Sequence, residues 1–285
     1  MRESALVSAK WLLENYTRSN VKLLDASMDA TIVFPDAWKS GPEEFVEAHI
    51  PGAQFFNIDA TSDTSSGLPH TLPTPQDFES VMRSLGINQG DHVIVYDNSM
   101  LRSAARGWWM LRVMGHTHVS VLDGGFEAWK SAGGPIEAGA RTPEAGNFVS
   151  NFCPALFRNK SDMLENITTP SAQIVDARGA PRFAGEVQEP RPGLASGHIP
   201  GAKNVPFSTL YEPNGMLKPP EDLSALFEAA NVNAAAAINT SCGSGVTACN
   251  LALALFELGN TEVAVYDGSW VEWGSAGDVP IETGR

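Results

Sequence analysis

The chain carries the same three motifs twice, in the same order. Leu23-Leu24-Asp25-Ala26 returns as Ile174-Val175-Asp176-Ala177, and Ala48-His49-Ile50-Pro51-Gly52-Ala53 returns as Gly197-His198-Ile199-Pro200-Gly201-Ala202. Val121-Leu122-Asp123-Gly124-Gly125-Phe126-Glu127-Ala128-Trp129 returns as Val265-Tyr266-Asp267-Gly268-Ser269-Trp270-Val271-Glu272-Trp273. The offsets are 151, 149 and 144 residues, equal within a few loop insertions. This is the pattern of a tandem duplication, and 285 residues suit two domains of ordinary size. Residues 1–140 are read as the first domain, 141–159, rich in Gly, Pro and Ala, as a linker, and 160–285 as the second.

Within each half, short apolar strands alternate with helices. In the first half, Val7 to Tyr16 reads as a helix with Ser8 as its N-cap, Val21 to Leu24 as a buried strand, and Pro75 to Leu85 as a helix stopped by Gly86. His92 to Tyr96 and Val119 to Leu122 read as strands around a helix at Ser103 to Met114, and Asp123 to Phe126 opens a last short helix. The alternation predicts an α/β fold, each half a small parallel β-sheet flanked by α-helices.

The two halves differ at one position that matters chemically. In the second half an apolar, alanine-rich run, Ala234 to Ile238, feeds into Thr240-Ser241-Cys242-Gly243-Ser244-Gly245-Val246-Thr247 through a strand that ends at Ser241, and Val246 to Leu258 reads as the following helix. The matching place after His92 to Tyr96 is Asp97 to Ser103, which holds no cysteine. A thiol at a helix N-terminus sits in the positive end of the helix dipole, which favours thiolate. Gly243 and Gly245 let the backbone curl so that several N–H groups converge on one point. Cys242 is therefore the candidate nucleophile; the competing reading is a small buried hydrophobe at a strand end.

Nineteen Lys and Arg against 33 Asp and Glu give a net charge of −14, which disfavours nucleic acid and anionic membranes as partners. An anionic substrate must then be held by local positive groups. The N-terminus shows no apolar signal core and no stretch reaches the length of a membrane span, so a cytoplasmic protein is expected. Three cysteines, Cys153, Cys242 and Cys249, are too few and too scattered for a disulfide framework or a zinc site, so no metal and no cofactor is expected.

With these motifs assembled, the chain resembles the two-domain rhodanese superfamily of sulfurtransferases along almost its whole length. The resemblance rests on the repeated His-Ile-Pro-Gly-Ala signature, the Cys242 to Thr247 loop and the terminal Tyr266 to Trp273 segment. It implies two tandem rhodanese-like domains, with a persulfide carried on the cysteine of the second. Loops of thiosulfate-specific members look like Cys-Arg-Lys-Gly-Val-Thr, with two cations for a dianion. The uncharged pair Gly243 and Ser244 looks instead like the superfamily's 3-mercaptopyruvate sulfurtransferases.

By the same resemblance, Arg182 (in Arg182-Phe183) and Arg191 (in Glu189-Pro190-Arg191) bind the α-keto carboxylate, and Ser244, His70 and Asp59 form a proton relay with Cys242. Gly243, Gly245, Val246 and Thr247 supply backbone donors, Thr247 also closing the loop by a hydrogen bond to its backbone. From the residues alone other readings stand: a salt bridge of an arginine with Glu186 or Glu189, a structural hydrogen bond for His70, a turn or cap for Asp59. His49 and His198 occur in both halves and read as structural, and Cys249 as a core residue. The implied reaction moves sulfur from 3-mercaptopyruvate to a thiol, such as thioredoxin, or to cyanide, and releases pyruvate. A thiosulfate sulfurtransferase and a persulfide-carrying or regulatory module are the alternatives. A phosphatase of this fold would need an arginine where Ala248 and Cys249 stand.

Overall fold

A computed structural model describes residues 4–38 and 41–284. The chain folds as two compact units. The first takes the chain up to Ser62, Leu72–Cys153 and Pro213–Met216; the second takes Asp63–Thr71, Pro154–Glu212 and Leu217 onward. The segment Asp63–Thr71, which carries His70, thus packs with the second unit although it lies in the first half of the sequence.

The first unit holds strands β1 (Leu6–Val7), β2 (Val21–Asp25), β3 (Gln54–Phe55), β4 (His92–Tyr96) and β5 (Val119–Leu122), in the order β1-β5-β4-β2-β3. The second repeats it with β6 (Phe157–Arg158), β7 (Gln173–Asp176), β8 (Lys203–Asn204), β9 (Ile238–Ser241) and β10 (Ala264–Tyr266), ordered β6-β10-β9-β7-β8. Every pairing between these strands is parallel. Helices of the first unit are α1 (Ala9–Asn15), α2 (Pro42–Glu47), α3 (Ile58–Thr61), α4 (Pro75–Ser84), α5 (Ala104–Val113) and α6 (Gly125–Ser131). Those of the second are α7 (Lys160–Thr168), α8 (Ala180–Phe183), α9 (Pro220–Ala229), α10 (Ala248–Glu257) and α11 (Ser269–Trp273). Two 3-10 turns, Pro154–Leu156 and Phe207–Leu210, complete the second unit.

The repeated motifs do the same work in both units. His49 pairs its backbone with Glu137, and its Nδ1 lies 2.7 Å from the Phe45 carbonyl; His198 pairs with Glu282, and its Nδ1 lies 2.8 Å from the Phe183 carbonyl. The N–H of Gly52 donates to the Glu137 carboxylate at 2.9 Å, and that of Gly201 to Glu282 at 3.0 Å. Both histidine rings stack on the phenylalanine whose carbonyl they face. Trp129 and Trp273, fully buried, each donate their indole N–H to a proline carbonyl, Pro135 and Pro280. The His-Ile-Pro-Gly signature therefore ties down the chain that follows the last helix of each unit, α6 and α11.

The strand before Cys242 ends at Ser241, as the sequence suggests, but it begins only after the alanine-rich run. The alanine run is a turn with Ala235 and Ala237 exposed, and the strand before Cys242 is Ile238–Ser241, buried throughout. A fully buried Val, Leu or Ile side chain is worth about 1.5–3 kcal/mol, and alanine offers far less area to hold a central strand. Of the polar residues of β9, Thr240 pairs with Val175 on one side and Val265 on the other and its hydroxyl donates to the Ala264 carbonyl, whereas the Asn239 Oδ1 and the Ser241 hydroxyl are buried without a hydrogen-bond partner among the described residues. Within the segment read as a linker, Phe148 is buried and Phe157–Arg158 forms the strand β6.

At the start of β4, the His92 ring stacks on His118 with centroids 4.1 Å apart, Trp11 stands edge-on to it, and its Nε2 lies 3.0 Å from the Ser120 hydroxyl. Burial, with His118 and His116 alongside, lowers the His92 imidazole to about 4. An imidazole kept neutral by folding contributes stability that is intact above its unfolded value near 6.5 and is lost as pH falls through about 4. Asp25 acts in the opposite sense, because burial raises its carboxyl to about 6: its contribution is full below 3.8 and is lost as pH rises through 6. Wild-type melting temperature should accordingly fall more between pH 7 and pH 4.5 than that of His92→Gln, as scanning calorimetry would read. Equal falls in the two proteins would remove His92 from the acid response.

Candidate functional site

The site begins where β9 ends. Cys242 follows Ser241 and is 1% exposed. The five residues after it turn into α10, which begins at Ala248. A loop at the end of a central buried strand has to satisfy its backbone groups locally, and here the acceptors are taken care of by two helices. The carbonyls of Cys242 and Gly243 accept from the N–H groups of Trp270 (3.0 Å) and Val271 (2.8 Å) in α11. Those of Val246 and Thr247 accept from Cys249 (3.2 Å) and Asn250 (3.1 Å) in α10, and the Cys249 thiol donates to the carbonyl of Gly245 (3.3 Å).

In a trans peptide the C=O of one residue and the N–H of the next point in opposite directions. Turning the carbonyls of 242, 243, 245 and 246 onto the helices therefore turns the N–H groups of Gly243, Ser244, Val246 and Thr247 the other way. Among the described residues, none of those four N–H groups meets a backbone acceptor. Gly245 sits at φ 81, the left-handed conformation that lets the loop reverse. The result is a row of amide donors beside a thiol, an arrangement that binds an oxyanion or an extra anionic sulfur.

Thr247 is the N-cap residue of α10 in helical conformation, and its side chain makes no cap hydrogen bond there. The expected closure of the loop by a Thr247 hydrogen bond is thus replaced by the Asn250 N–H on its carbonyl. Helix α10 starts two residues later than the sequence suggests, leaving Val246 and Thr247 in the loop.

His70 reaches this loop. Its Nδ1 lies 2.8 Å from the hydroxyl of Ser244, which is 8% exposed. The imidazole is carried on a segment closed at its base, where the Asp63 N–H donates to the Thr71 carbonyl (3.0 Å) and the Thr71 hydroxyl to the Asp63 carbonyl (2.8 Å). His70 itself has φ 63, a rare left-handed conformation for a non-glycine residue.

Arg182, in the last turn of α8, lies against the loop: a Cβ built on Gly243 would stand 3.2 Å from its Nη2. The glycine leaves the space that the guanidinium uses. Arg182 also donates through Nη2 (2.5 Å) and Nε (3.3 Å) to the Glu189 carboxylate. The pairing with Glu189 is therefore present, but it is no surface bridge, since the Glu189 side chain is 2% exposed and Arg182 17%. Glu189 accepts from Arg178 as well (2.8 Å), and Arg178 is held by both oxygens of Asp176, by the Gly197 carbonyl and by the face of Trp270 at 4.3 Å. Burial would lower the Arg178 guanidinium, and the carboxylates of Asp176 and Glu189 outweigh it, so the group is held above its ordinary value.

Arg191 is partly exposed in the irregular stretch after α8, and Asp59 is exposed in the first turn of the short helix α3 in the first unit. Glu189, Arg178 and Ser269 lie around the loop; the sequence offered Glu189 only as a salt-bridge partner of an arginine and did not single out Arg178 or Ser269. The signal available for the first two was the charge alternation Asp176, Arg178, Arg182, Glu189 that follows β7.

A thiol at the carboxyl end of a central parallel strand, in one of two repeated α/β units and faced by amide donors, defines a thiol group-transfer site. The chain belongs to the rhodanese family: the rhodanese-like domain matches residues 8–132 and 159–276. It is 44% identical to the 3-mercaptopyruvate sulfurtransferase of Escherichia coli (strain K12), over 99% of both chains. It is 41% identical to the thiosulfate sulfurtransferase of Gallus gallus, over 94% of this chain and 93% of that one. Among solved structures it matches SseA from Escherichia coli, a 3-mercaptopyruvate sulfotransferase, with a TM-score of 0.85 and 42% identity over 94% of this chain and 99% of SseA.

Removing Arg178 leaves Asp176 and Glu189, each about as buried as the arginine, without their shared cation. Breaking a buried pair in this way costs about 3–5 kcal/mol. Arg178→Met is expected to lose that much stability in urea unfolding, and a loss below 1 kcal/mol would show that water reaches the two carboxylates.

Proposed function

We propose that the protein is a sulfurtransferase that takes the thiol sulfur of 3-mercaptopyruvate onto Cys242 as a persulfide and passes it to a thiol or to cyanide. The observation that carries the reading is the Cys242 loop itself: amide donors turned outward around a thiol, no cation within Gly243 to Thr247, and His70 on Ser244. The near full-length similarity to the Escherichia coli 3-mercaptopyruvate sulfurtransferase supports the same assignment.

In the first half-reaction the Cys242 thiolate attacks the sulfur of 3-mercaptopyruvate. The new S–S bond forms as the C–S bond breaks, and the electron pair of that bond leaves in pyruvate enolate. The enolate takes a proton, for which Ser244 backed by His70 is the proposed route, with Asp59 as the proposed third member. Cys242 is left as a persulfide whose outer sulfur faces the N–H groups of the loop. In the second half-reaction an acceptor thiolate attacks that outer sulfur, and the Cys242 thiolate is released.

For the substrate's carboxylate and keto oxygen we propose Arg182 and Arg191, whose planar forks give directional paired donors. Gly243, Gly245, Val246 and Thr247 complete the binding surface through their backbone. Among the described residues no helix is long and apolar enough to cross a membrane. We further propose a cytoplasmic enzyme with a small thiol or a thioredoxin-like protein as acceptor, consistent with Cys153, Cys242 and Cys249 being thiols rather than disulfide partners.

Thiosulfate as the main donor is the second reading, favoured by the similarity to the Gallus gallus thiosulfate sulfurtransferase. Pyruvate release from 3-mercaptopyruvate is expected to exceed thiocyanate formation from thiosulfate and cyanide in kcat/KM; the reverse order would overturn the assignment. Cys242→Ser is expected to abolish both half-reactions. Arg191→Ala is expected mainly to raise KM for 3-mercaptopyruvate, as loss of uniform binding does; unchanged kinetics would return Arg191 to a structural role.

A further inference from the structure

The segment Tyr266 to Trp273 is the one repeated motif whose two copies differ at a strained position. Gly125 opens α6 at φ 60, and a Cβ there would collide with the Asp97 carbonyl oxygen. The equivalent residue opening α11 is Ser269, fully buried at φ 48. A left-handed serine is strained where glycine is not. The second unit therefore keeps a side chain at a place where the first does without one, and that place adjoins the thiol.

The two turns are entered differently, through Gly124 at φ 78 and Gly268 at φ -67, yet each gives one backbone bond to the strand-end residue. The Phe126 N–H donates to the Asp97 carbonyl at 2.9 Å, and the Trp270 N–H donates to the Cys242 carbonyl at 3.0 Å. The difference is the Ser269 hydroxyl, which accepts from the Cys242 N–H at 3.1 Å and donates to the Tyr266 carbonyl at 2.8 Å. Asp97 has no need of such a partner, because its own carboxylate accepts from the N–H groups of Ser99 (3.2 Å) and Ala104 (2.6 Å) and holds that loop from within. Cys242, committed to another use, has no equivalent side-chain tie.

We infer that Ser269 is a positioning residue for Cys242: its hydroxyl, held in line by the Tyr266 carbonyl, fixes the N–H side of the nucleophile while Trp270 fixes the carbonyl side. With both sides held, the peptide planes on either side of Cys242 cannot rotate, and the thiol stays aligned with the donors of Gly243 to Thr247. The backbone strain at Ser269 is the cost of that alignment. This role rests on the reading of Cys242 as the sulfur-carrying nucleophile.

The test compares wild type, Ser269→Ala and Ser269→Gly in three measurements. These are kcat and KM with 3-mercaptopyruvate, melting temperature, and the pH midpoint of Cys242 alkylation by iodoacetamide without substrate, read on the Cys242 peptide by mass spectrometry. Both variants are expected to lose about tenfold or more in kcat with KM within about twofold. Both alkylation midpoints should move upward as the loop donors lose alignment with the thiolate. Ser269→Gly, relieved of strain, should melt at or above Ser269→Ala. If either variant keeps the wild-type kcat and midpoint, or if activity falls only in step with melting temperature at an unchanged midpoint, Ser269 is merely structural. Should wild type fail to turn over 3-mercaptopyruvate, the sulfurtransferase reading fails, and the alkylation midpoints alone still decide the role of Ser269.

Discussion

The site depends on how five loop residues dispose of their carbonyl groups. A strand that ends inside the molecule must hand its chain to a helix without stranding polar backbone. In the second unit the first N–H groups of α10 and α11 take the carbonyls of the loop. Planarity of the peptide then fixes the direction of the amides, with the Cys249 thiol holding the carbonyl of Gly245. The donor array beside Cys242 is thus a by-product of satisfying acceptors, and it needs α11 docked in place as much as it needs the glycines.

The same handover occurs after β4, where Asp97 occupies the place of Cys242 and Phe126 donates to its carbonyl. There the carboxylate of Asp97 is spent on the loop's own N–H groups, and burial raises its pKa above the ordinary carboxylate value. A side chain that ties down its own loop is unavailable to a substrate. Divergence of the two copies can be read at this one position: the first unit holds its loop with the strand-end side chain, and the second leaves that side chain to be a thiol and holds the loop from α11.

The duplication, the sheet type and the cysteine were legible in the sequence because each depends on short-range pattern: repeated motifs, alternating apolar runs, and glycines flanking one thiol. The strand before Cys242 was legible at its end, Ser241, and not at its start. Asn239, Thr240 and Ser241 are polar, and their partners in β7 and β10 make them a strand with Ile238. His70 was placed at the site by resemblance; its bond to Ser244 joins residues far apart in sequence, which no local pattern reports. Ser269 was visible as a letter in a repeat, but its strain and its bond to Cys242 are properties of backbone geometry. Asp59 and Arg191 rest on motif alone.

The charge arrangement bears on which anion the site suits. Arg178 and Arg182 face Asp176 and Glu189, two cations against two carboxylates, so this cluster brings no surplus positive charge to the loop. With a net charge of −14 on the whole chain, a dianion such as thiosulfate would have to be attracted by charge that neither the loop nor the cluster supplies. A monoanionic α-keto acid asks for less charge and more direction, and a guanidinium clamped by Glu189 beside Gly243 is fixed in direction. The buried ion network is then better understood as an orienting device than as a source of attraction. The absence of a side chain at Gly243, which first stood out as a missing cation, is what allows that oriented group to approach the thiol's loop.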